Sequence, residues 1–367
     1  MKVVIGAGGT AGHVFPALAV AKVLAERHDA DVRFVGTERG LEATLVPSAG
    51  FPFTAVEAQP FVRTVSPAAL RAPFALVRSV RRCRGLVAEG DAVLGMGGYA
   101  SGPVVVAGLL SRRPVVLHEQ NAVPGAANRL FARFARTTAL SFAEASTHFS
   151  RRAHTVVTGN PVREEILRVG EERQTLAKEA LRDLDLEEGR RTIVVFGGSQ
   201  GALHLDRAVV GAVALLRDRE DLQILLLTGR AHHDVVRTSL PSNGALVVRA
   251  LPFLDRMELA YAIADLVVAR AGATTIAEVT ACGIPALFVP YPYATAGHQE
   301  ANARAVQRAG GASVLLDDQL EPEVLAERIL SLVDHDERLE AMTERAAAFG
   351  KPDAAERVAE LVVGAAG

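Results

Sequence analysis

Glu278 closes the stretch Ala269-Arg270-Ala271-Gly272-Ala273-Thr274-Thr275-Ile276-Ala277-Glu278, whose residue types suit one kind of ligand. The apolar run Leu266-Val267-Val268-Ala269 reads as a buried strand, and Gly272 ends it. Thr274 and Thr275 suit the start of a helix, and Glu278 falls about one turn in. Free backbone N–H groups and the helix dipole favour an anion at such a start. A carboxylate cannot sit against a phosphate, but it can accept hydrogen bonds from the hydroxyls of a sugar attached to one. The chemistry suggested is recognition of a nucleotide sugar. An ordinary strand-to-helix turn with a solvated acid fits the same residues, so the rest of the chain has to decide.

Five other groups carry candidate chemistry. His13 sits where Gly6-Ala7-Gly8-Gly9-Thr10-Ala11-Gly12 becomes a helix. A helix N-terminus disfavours the imidazolium, and a neutral ring suits a general base acting on a hydroxyl; a capping histidine is the alternative. His118-Glu119-Gln120-Asn121 follows the strand-like Val115-Val116-Leu117, at the carboxyl end where open α/β sheets bind ligands. Gly97 and Gly98 end a neighbouring strand and would let a ligand approach the backbone. Ser199, in Gly197-Gly198-Ser199-Gln200-Gly201-Ala202, and Arg163 could face a pyrophosphate, the arginine through charge-assisted bonds. Gln299 and Asn302 are three apart, share a helix face, and could bond sugar hydroxyls.

The elements that must position these groups repeat. Val3-Val4-Ile5 runs into the first glycine loop and a helical pattern, the opening unit of a doubly wound sheet. Strand-like runs recur at residues 32–35, 92–94, 115–117 and 155–157, separated by helix-like stretches, so a parallel sheet covered on both faces is expected. The pattern restarts at Thr192-Ile193-Val194-Val195-Phe196 and its own glycine loop, with further strands at 224–227, 246–248, 266–269 and 286–289. The chain therefore reads as α/β, with two Rossmann-like domains facing each other. Gly159-Asn160-Pro161-Val162-Arg163 breaks the periodicity between them and reads as a hinge. We expect domains over 1–162 and 163–345, and a capped amphipathic helix within 346–367. A length of 367 residues fits two domains at roughly 150 residues each.

Gly6-x-Gly8-x-x-Ala11 permits a dinucleotide fingerprint, but the confirming acid should close the second strand. There Gly36-Thr37 intervenes before Glu38, a poor fit for a nicotinamide enzyme. The net charge of −2 argues against a general nucleic-acid role. Cys83 and Cys282 are far apart, form no metal motif and suggest a reducing compartment. No cluster has metal-ligand spacing, and no nucleophile elbow is present. Without a signal-peptide pattern or a run of roughly 18 apolar residues, we expect a cytoplasmic protein, soluble or peripheral to a membrane. Between Glu57 and Glu89 there is no acid, but Arg63, Arg71, Arg78, Arg81, Arg82 and Arg84 alternate with Phe61, Leu70, Phe74, Leu76 and Val77. That composition suits a docking patch for anionic lipid headgroups as well as a solvated basic helix.

Taken in order, six motifs resemble the MurG family, glycosyltransferase family 28. They are residues 8–16, 95–103, His118-Glu119-Gln120-Asn121, Gly159-Asn160-Pro161-Val162-Arg163, 197–202, and the stretch 269–278 with Pro285-Ala286-Leu287-Phe288-Val289-Pro290. The resemblance covers almost the whole chain. It implies a GT-B fold with a cleft between the domains and the C-terminal helix packed back on the first. It implies inverting transfer of N-acetylglucosamine from UDP-N-acetylglucosamine to lipid I (undecaprenyl-pyrophosphoryl-N-acetylmuramoyl-pentapeptide), giving lipid II at the cytoplasmic face of the membrane. No cofactor and no obligatory metal are implied. Expected partners are the donor, the lipid acceptor, an anionic membrane surface and cell-wall assembly proteins.

By motif position, Thr10, Ala11, Gly12 and Asn121 would lie near the donor. Arg163, Ser199, Leu254, Ala273, Thr274, Thr275, Ile276, Ala277, Glu278, Gln299 and Asn302 would bind it, with Glu278 on the ribose. His13 would be the base, with Glu119 shaping the acceptor site. Two positions depart from the family pattern: Ala11 stands where glycine is common, and His298 where a second glutamine is common beside Gln299. Competing readings are a UDP-N-acetylglucosamine 2-epimerase and a non-catalytic membrane-docking scaffold of cell-wall assembly.

Overall fold

In a computed structural model the chain forms two compact units, Met1–Arg163 with Lys351–Gly367, and Glu164–Gly350. The structure describes residues 1–57, 67–198, 201–241 and 243–367, with backbone alone for 67–75. In the first unit the order is β1 (Lys2–Gly6), α1 (Ala11–His28), β2 (Asp31–Gly36), α2 (Glu42–Ser48), β3 (Phe53–Ala55), α3 (Pro67–Glu89), β4 (Ala92–Gly95), α4 (Ser101–Leu110), β5 (Val115–Glu119), α5 (Ala126–Phe131), β6 (Thr137–Leu140) and β7 (Thr155–Val157). The second unit runs α6 (Glu164–Leu167), α7 (Val169–Asp183), β8 (Arg191–Phe196), α8 (Leu203–Leu216), β9 (Leu222–Leu227), α9 (His233–Ser239), β10 (Val247–Leu251), α10 (Met257–Ile263), β11 (Leu266–Ala269), α11 (Ala273–Ala281), β12 (Ala286–Phe288), α12 (His298–Ala309), β13 (Ala312–Val314), α13 (Pro322–Val333) and α14 (Asp336–Phe349). The last helix, α15 (Ala354–Ala366), belongs to the first unit.

Both sheets are parallel throughout, in the orders β3-β2-β1-β4-β5-β6-β7 and β10-β9-β8-β11-β12-β13. The connections reverse direction beside β1 in one sheet and beside β8 in the other. Loops after the strands at such a switch point diverge and leave a crevice for ligands. Register makes the neighbouring loops meet. Gly6 pairs with Gly95 at the ends of β1 and β4, and Ala269 pairs with both Phe196 and Phe288 at the end of β11.

The strands read as unbroken apolar runs because both faces are covered. Along β1, Val3 and Ile5 pack with Val14, Val20 and Leu24 of α1 and with Val358 and Val362 of α15. Val4, pointing the other way, packs with Val93, Val104 and Val87. On α15 the buried residues Ala355, Val358, Ala359 and Val362 form one stripe at helical spacing, which holds this late segment on the first sheet. Its N-cap Asp353 makes no side-chain cap, contrary to the expected capping signal. Arg357 in its first turn donates to the Val157 carbonyl at 2.8 Å, tying the helix to β7. Strands β3, β6 and β13 were not expected. They are three or four residues long, and Thr137-Thr138-Ala139-Leu140 and Ala312-Ser313-Val314 carry too little apolar pattern to announce themselves.

Candidate functional site

In the first unit the loops after β1 and β4 are pressed together. A Cβ at Gly98 would overlap the Gly8 carbonyl, and one at Gly97 would lie 3.0 Å from Cδ2 of His13. Both glycines have positive φ, which a side chain would strain. The group that approaches this backbone so closely is therefore the protein itself. Thr10 is the extended N-cap of α1, but its hydroxyl does not cap; it lies 3.0 Å from Nδ1 of His13. The ring is held between that hydroxyl and the Gly97-Gly98 backbone. Ala11 and Gly12 are half-buried in the first turn.

At the end of β5, Glu119 is buried, and its own loop occupies it. Oε1 accepts the Asn121 N–H at 3.0 Å, and Oε2 accepts the Gly125 N–H at 3.1 Å and Asn128 Nδ2 at 2.8 Å. Those bonds close the 120–125 turn and fix the start of α5, so Glu119 organises the loop that carries Asn121. Asn128, not singled out in the sequence, also donates to the His118 carbonyl at 3.1 Å. His118 is fully buried. Burial pushes its ring down to about 4, with the bond to the Gly159 carbonyl opposing and the nearby His13 adding to the shift. Nε2 lies 3.2 Å from that carbonyl and must carry the proton, so the ring is neutral with Nδ1 bare. Arg163, expected to act from the second domain, closes the first unit, and its guanidinium lies 4.3 Å from the centroid of the Phe15 ring on α1.

In the second unit Gly272 is the N-cap of α11. Ala273 and Ile276 face the core, while Thr274, Thr275 and Ala277 are half-buried. Gly272 has negative φ and an unobstructed Cβ position, so the turn itself does not require glycine. Glu278 is buried, and the hydroxyl of Tyr261, itself 1% exposed, donates to its Oε2 at 2.9 Å. Tyr261 escapes sequence reasoning because it lies in the apolar face of α10. Asn302 is also fully buried and donates to the Ala271 carbonyl at 3.4 Å. It thus ties α12 to the turn before α11, a different task from the sugar reading expected of it. Gln299 is half-buried, and its Oε1 accepts the Tyr291 N–H at 2.9 Å. His298 starts α12, with Nδ1 2.7 Å from the Thr295 carbonyl. Leu254 is half-buried in the turn between β10 and α10, and Ser199 lies outside the described residues.

Arg270, which has no role in the sequence reading, is buried and knits three chain segments together. Its Nη1 donates to the carbonyls of Val289 and Pro290 at 3.1 and 3.2 Å and to Asp317 Oδ1 at 2.5 Å. Nearby, burial pushes the Asp206 carboxyl at the start of α8 up to about 7, against the pull of Arg270. The basic patch is exposed at Leu76, Val77, Arg78, Arg81 and Arg82, and Arg78 is ion-paired with Glu57. The Phe74 side chain lies outside the described residues. Among those described, no helix is long and apolar enough to cross a membrane.

The sequence profiles of the glycosyltransferase family 28 N-terminal and C-terminal domains match residues 3–140 and 192–358. A Halothermothrix orenii protein named UDP-N-acetylglucosamine–N-acetylmuramyl-(pentapeptide) pyrophosphoryl-undecaprenol N-acetylglucosamine transferase is 41% identical, over 99% of this chain and 98% of its own length. The crystal structure of Acinetobacter baumannii MurG superposes with a TM-score of 0.78 at 30% identity, covering 99% of each chain. A Neisseria meningitidis UDP-GlcNAc 2-epimerase bound to UDP-GlcNAc shares the fold, with a TM-score of 0.72 at 12% identity over 99% of this chain and 100% of that one.

The buried neutral His118 makes the first unit acid-sensitive. Its ring titrates at about 4 when folded and at 6.5 when unfolded, so the unfolded chain binds more protons between those values. The contribution of neutral His118 is full above pH 6.5 and falls by about 3 kcal/mol as the pH drops toward 4. His118→Gln, which can still donate to Gly159, should lose less stability in that window. Urea unfolding at pH 7 and 4.5 measures it, and equal losses in both proteins would contradict the assignment.

Proposed function

The chain belongs to glycosyltransferase family 28, and from that premise we propose that it transfers N-acetylglucosamine from UDP-N-acetylglucosamine to the muramyl 4-hydroxyl of lipid I, forming lipid II for peptidoglycan. The observation that carries this reading is 41% identity, across 99% of this chain, to a transferase named for that reaction. The epimerase likeness is one of fold alone, so it does not favour the second reading.

Inverting transfer needs a base for the acceptor hydroxyl and a site that stabilises the departing UDP. His13 is the base. In the tautomer this role requires, Nδ1–H donates to the Thr10 hydroxyl 3.0 Å away, and bare Nε2 takes the proton of the attacking hydroxyl. His13 stands in the first turn of the 18-residue helix α1, where a helix N-terminus favours the neutral ring of a base. Glu119 positions Asn121 through the closed loop. On the second unit, the backbone N–H groups opening α11 take the diphosphate, with Ser199 contributing. Glu278, oriented by Tyr261, accepts from the ribose hydroxyls. Gln299 faces the sugar while fixing Tyr291, and Asn302 holds the helix that carries it.

The acceptor is lipid-linked, so the protein works at the membrane as a peripheral protein of the cytoplasmic face. The exposed Leu76 and Val77 beside Arg81 and Arg82 on α3 make the docking surface.

The decisive assay is UDP release from UDP-N-acetylglucosamine with and without a lipid I analogue. Absence of acceptor-dependent release overturns the reading, and free epimerised sugar would support the epimerase instead. In the same assay His13→Ala should lower kcat by roughly 10²–10⁴-fold with donor KM little changed; near-normal turnover would remove it from the mechanism. Glu278→Ala should instead raise donor KM, by the roughly 1.5–3 kcal/mol of a charged hydrogen bond. Unchanged donor affinity would contradict that role. Arg81→Glu with Arg82→Glu should weaken binding to anionic vesicles by about 1 kcal/mol or more per charge, and Arg78→Glu by less, because Glu57 already pairs with Arg78. Vesicle binding that survives the double reversal would leave the patch an ordinary solvated face.

A further inference from the structure

Glu42 is fully buried at the start of α2, yet the transfer chemistry above makes no use of it. Three donors converge on its carboxylate. Oε1 accepts the Thr37 N–H at 2.9 Å and the Thr37 hydroxyl at 2.7 Å, and Oε2 accepts the Gly9 N–H at 3.2 Å. The space around it is made by glycines. A Cβ at Gly8 would overlap Oε1, one at Gly40 would overlap Oε2, and one at Gly36 would lie 2.5 Å from Cγ. An acid enclosed this way, with both oxygens accepting, is a fixed strut.

What the strut bears on is the loop that leads to His13. Gly9 is bonded to Glu42 on one side, and on the other its Cβ position lies 2.9 Å from the Tyr99 ring. Gly98 presses on the Gly8 carbonyl, and the His13 ring lies against Gly97 and Gly98. Thr10, next after Gly9, holds Nδ1 of His13. Residues 8 and 9 are thus clamped between the Glu42 carboxylate and the segment 97–99, and the imidazole takes its place from that clamp. We infer that Glu42 is a positioning residue for the transfer reaction, setting the place and orientation of His13 through the Gly9 N–H and Thr10. The kinetic part of this inference rests on the transferase reading; the placement of the ring does not.

Glu42→Gln keeps the size but puts an NH₂ where one oxygen accepted, so the Gly9 N–H or the Thr37 pair loses its acceptor. In the lipid I assay kcat should fall by roughly 10–100-fold, since misplacing a reacting group by about 1 Å costs on that order. Donor KM should change far less than kcat, because Glu278, Gln299 and the start of α11, proposed to hold the donor in the second unit, are untouched. Val362→Ala, a core change on α15 in the same unit, serves as the stability control and should leave kcat unchanged below its melting temperature. In ¹⁵N-histidine spectra, the Nδ1 resonance of His13 should move or broaden in Glu42→Gln. Full kcat in folded Glu42→Gln, a kcat loss equalled by Val362→Ala, or an unchanged His13 resonance would each overturn the inference. If Glu42→Gln does not fold, Thr37→Val decides: a kcat loss at constant donor KM upholds the role, and wild-type kcat with an unchanged His13 resonance refutes it. A wild-type chain without acceptor-dependent transfer would instead defeat the functional reading and leave the spectra to judge Glu42.

Discussion

The contact between the Gly8 carbonyl and the Gly98 backbone fixes the surroundings of His13 in the first unit. Two strand-end loops meet there with no side chain between them. The register that pairs Gly6 with Gly95 brings them together, and the positive φ of Gly98 lets the second loop turn away afterwards. Because nothing intervenes, small displacements on either side are transmitted. The imidazole of His13 rests on one loop while Thr10, in the other, holds its Nδ1. A histidine in that setting has little freedom to choose another rotamer, which is what proton transfer to a fixed nitrogen requires.

The second unit reaches comparable rigidity with a buried cation. Arg270 takes two carbonyls beyond β12 and the Asp317 carboxylate through one nitrogen, Nη1, which draws together segments far apart in sequence. Asn302 and Tyr261 extend the same scheme, one tying α12 to the Ala271 carbonyl and the other orienting Glu278 from α10. The polar groups proposed to meet the donor are therefore braced by side chains that need not touch it.

The two parallel sheets and their glycine loops were legible because buried strands in such sheets are continuous apolar runs and the loops break them with glycine. Edge strands such as β3 and β13 were not, since three residues paired on one side carry little pattern. At the site, the residue types were readable but their partners were not. Glu119 looked like an acid facing a ligand, and in the structure its oxygens are taken by Asn121, Gly125 and Asn128. Spacing on a helix placed Gln299 and Asn302 on one face, but spacing does not say whether that face is covered; Asn302 is wholly buried. Glu42 gave no local signal, because its meaning lies in Gly8 and Gly9, more than thirty residues away. Burial and long-range pairing are properties of the folded chain, and a single sequence exposes them only where they leave a local period.

The glycine string of the first loop has the spacing of a dinucleotide fingerprint, yet the chain itself has already spent one of the donors such a loop would offer. The Gly9 N–H points at Glu42, and a carboxylate stands behind the loop on the side from which a pyrophosphate would draw charge. The first loop thus carries an internal carboxylate partner of its own. The fingerprint spacing is therefore filled from within, without any clash of shape.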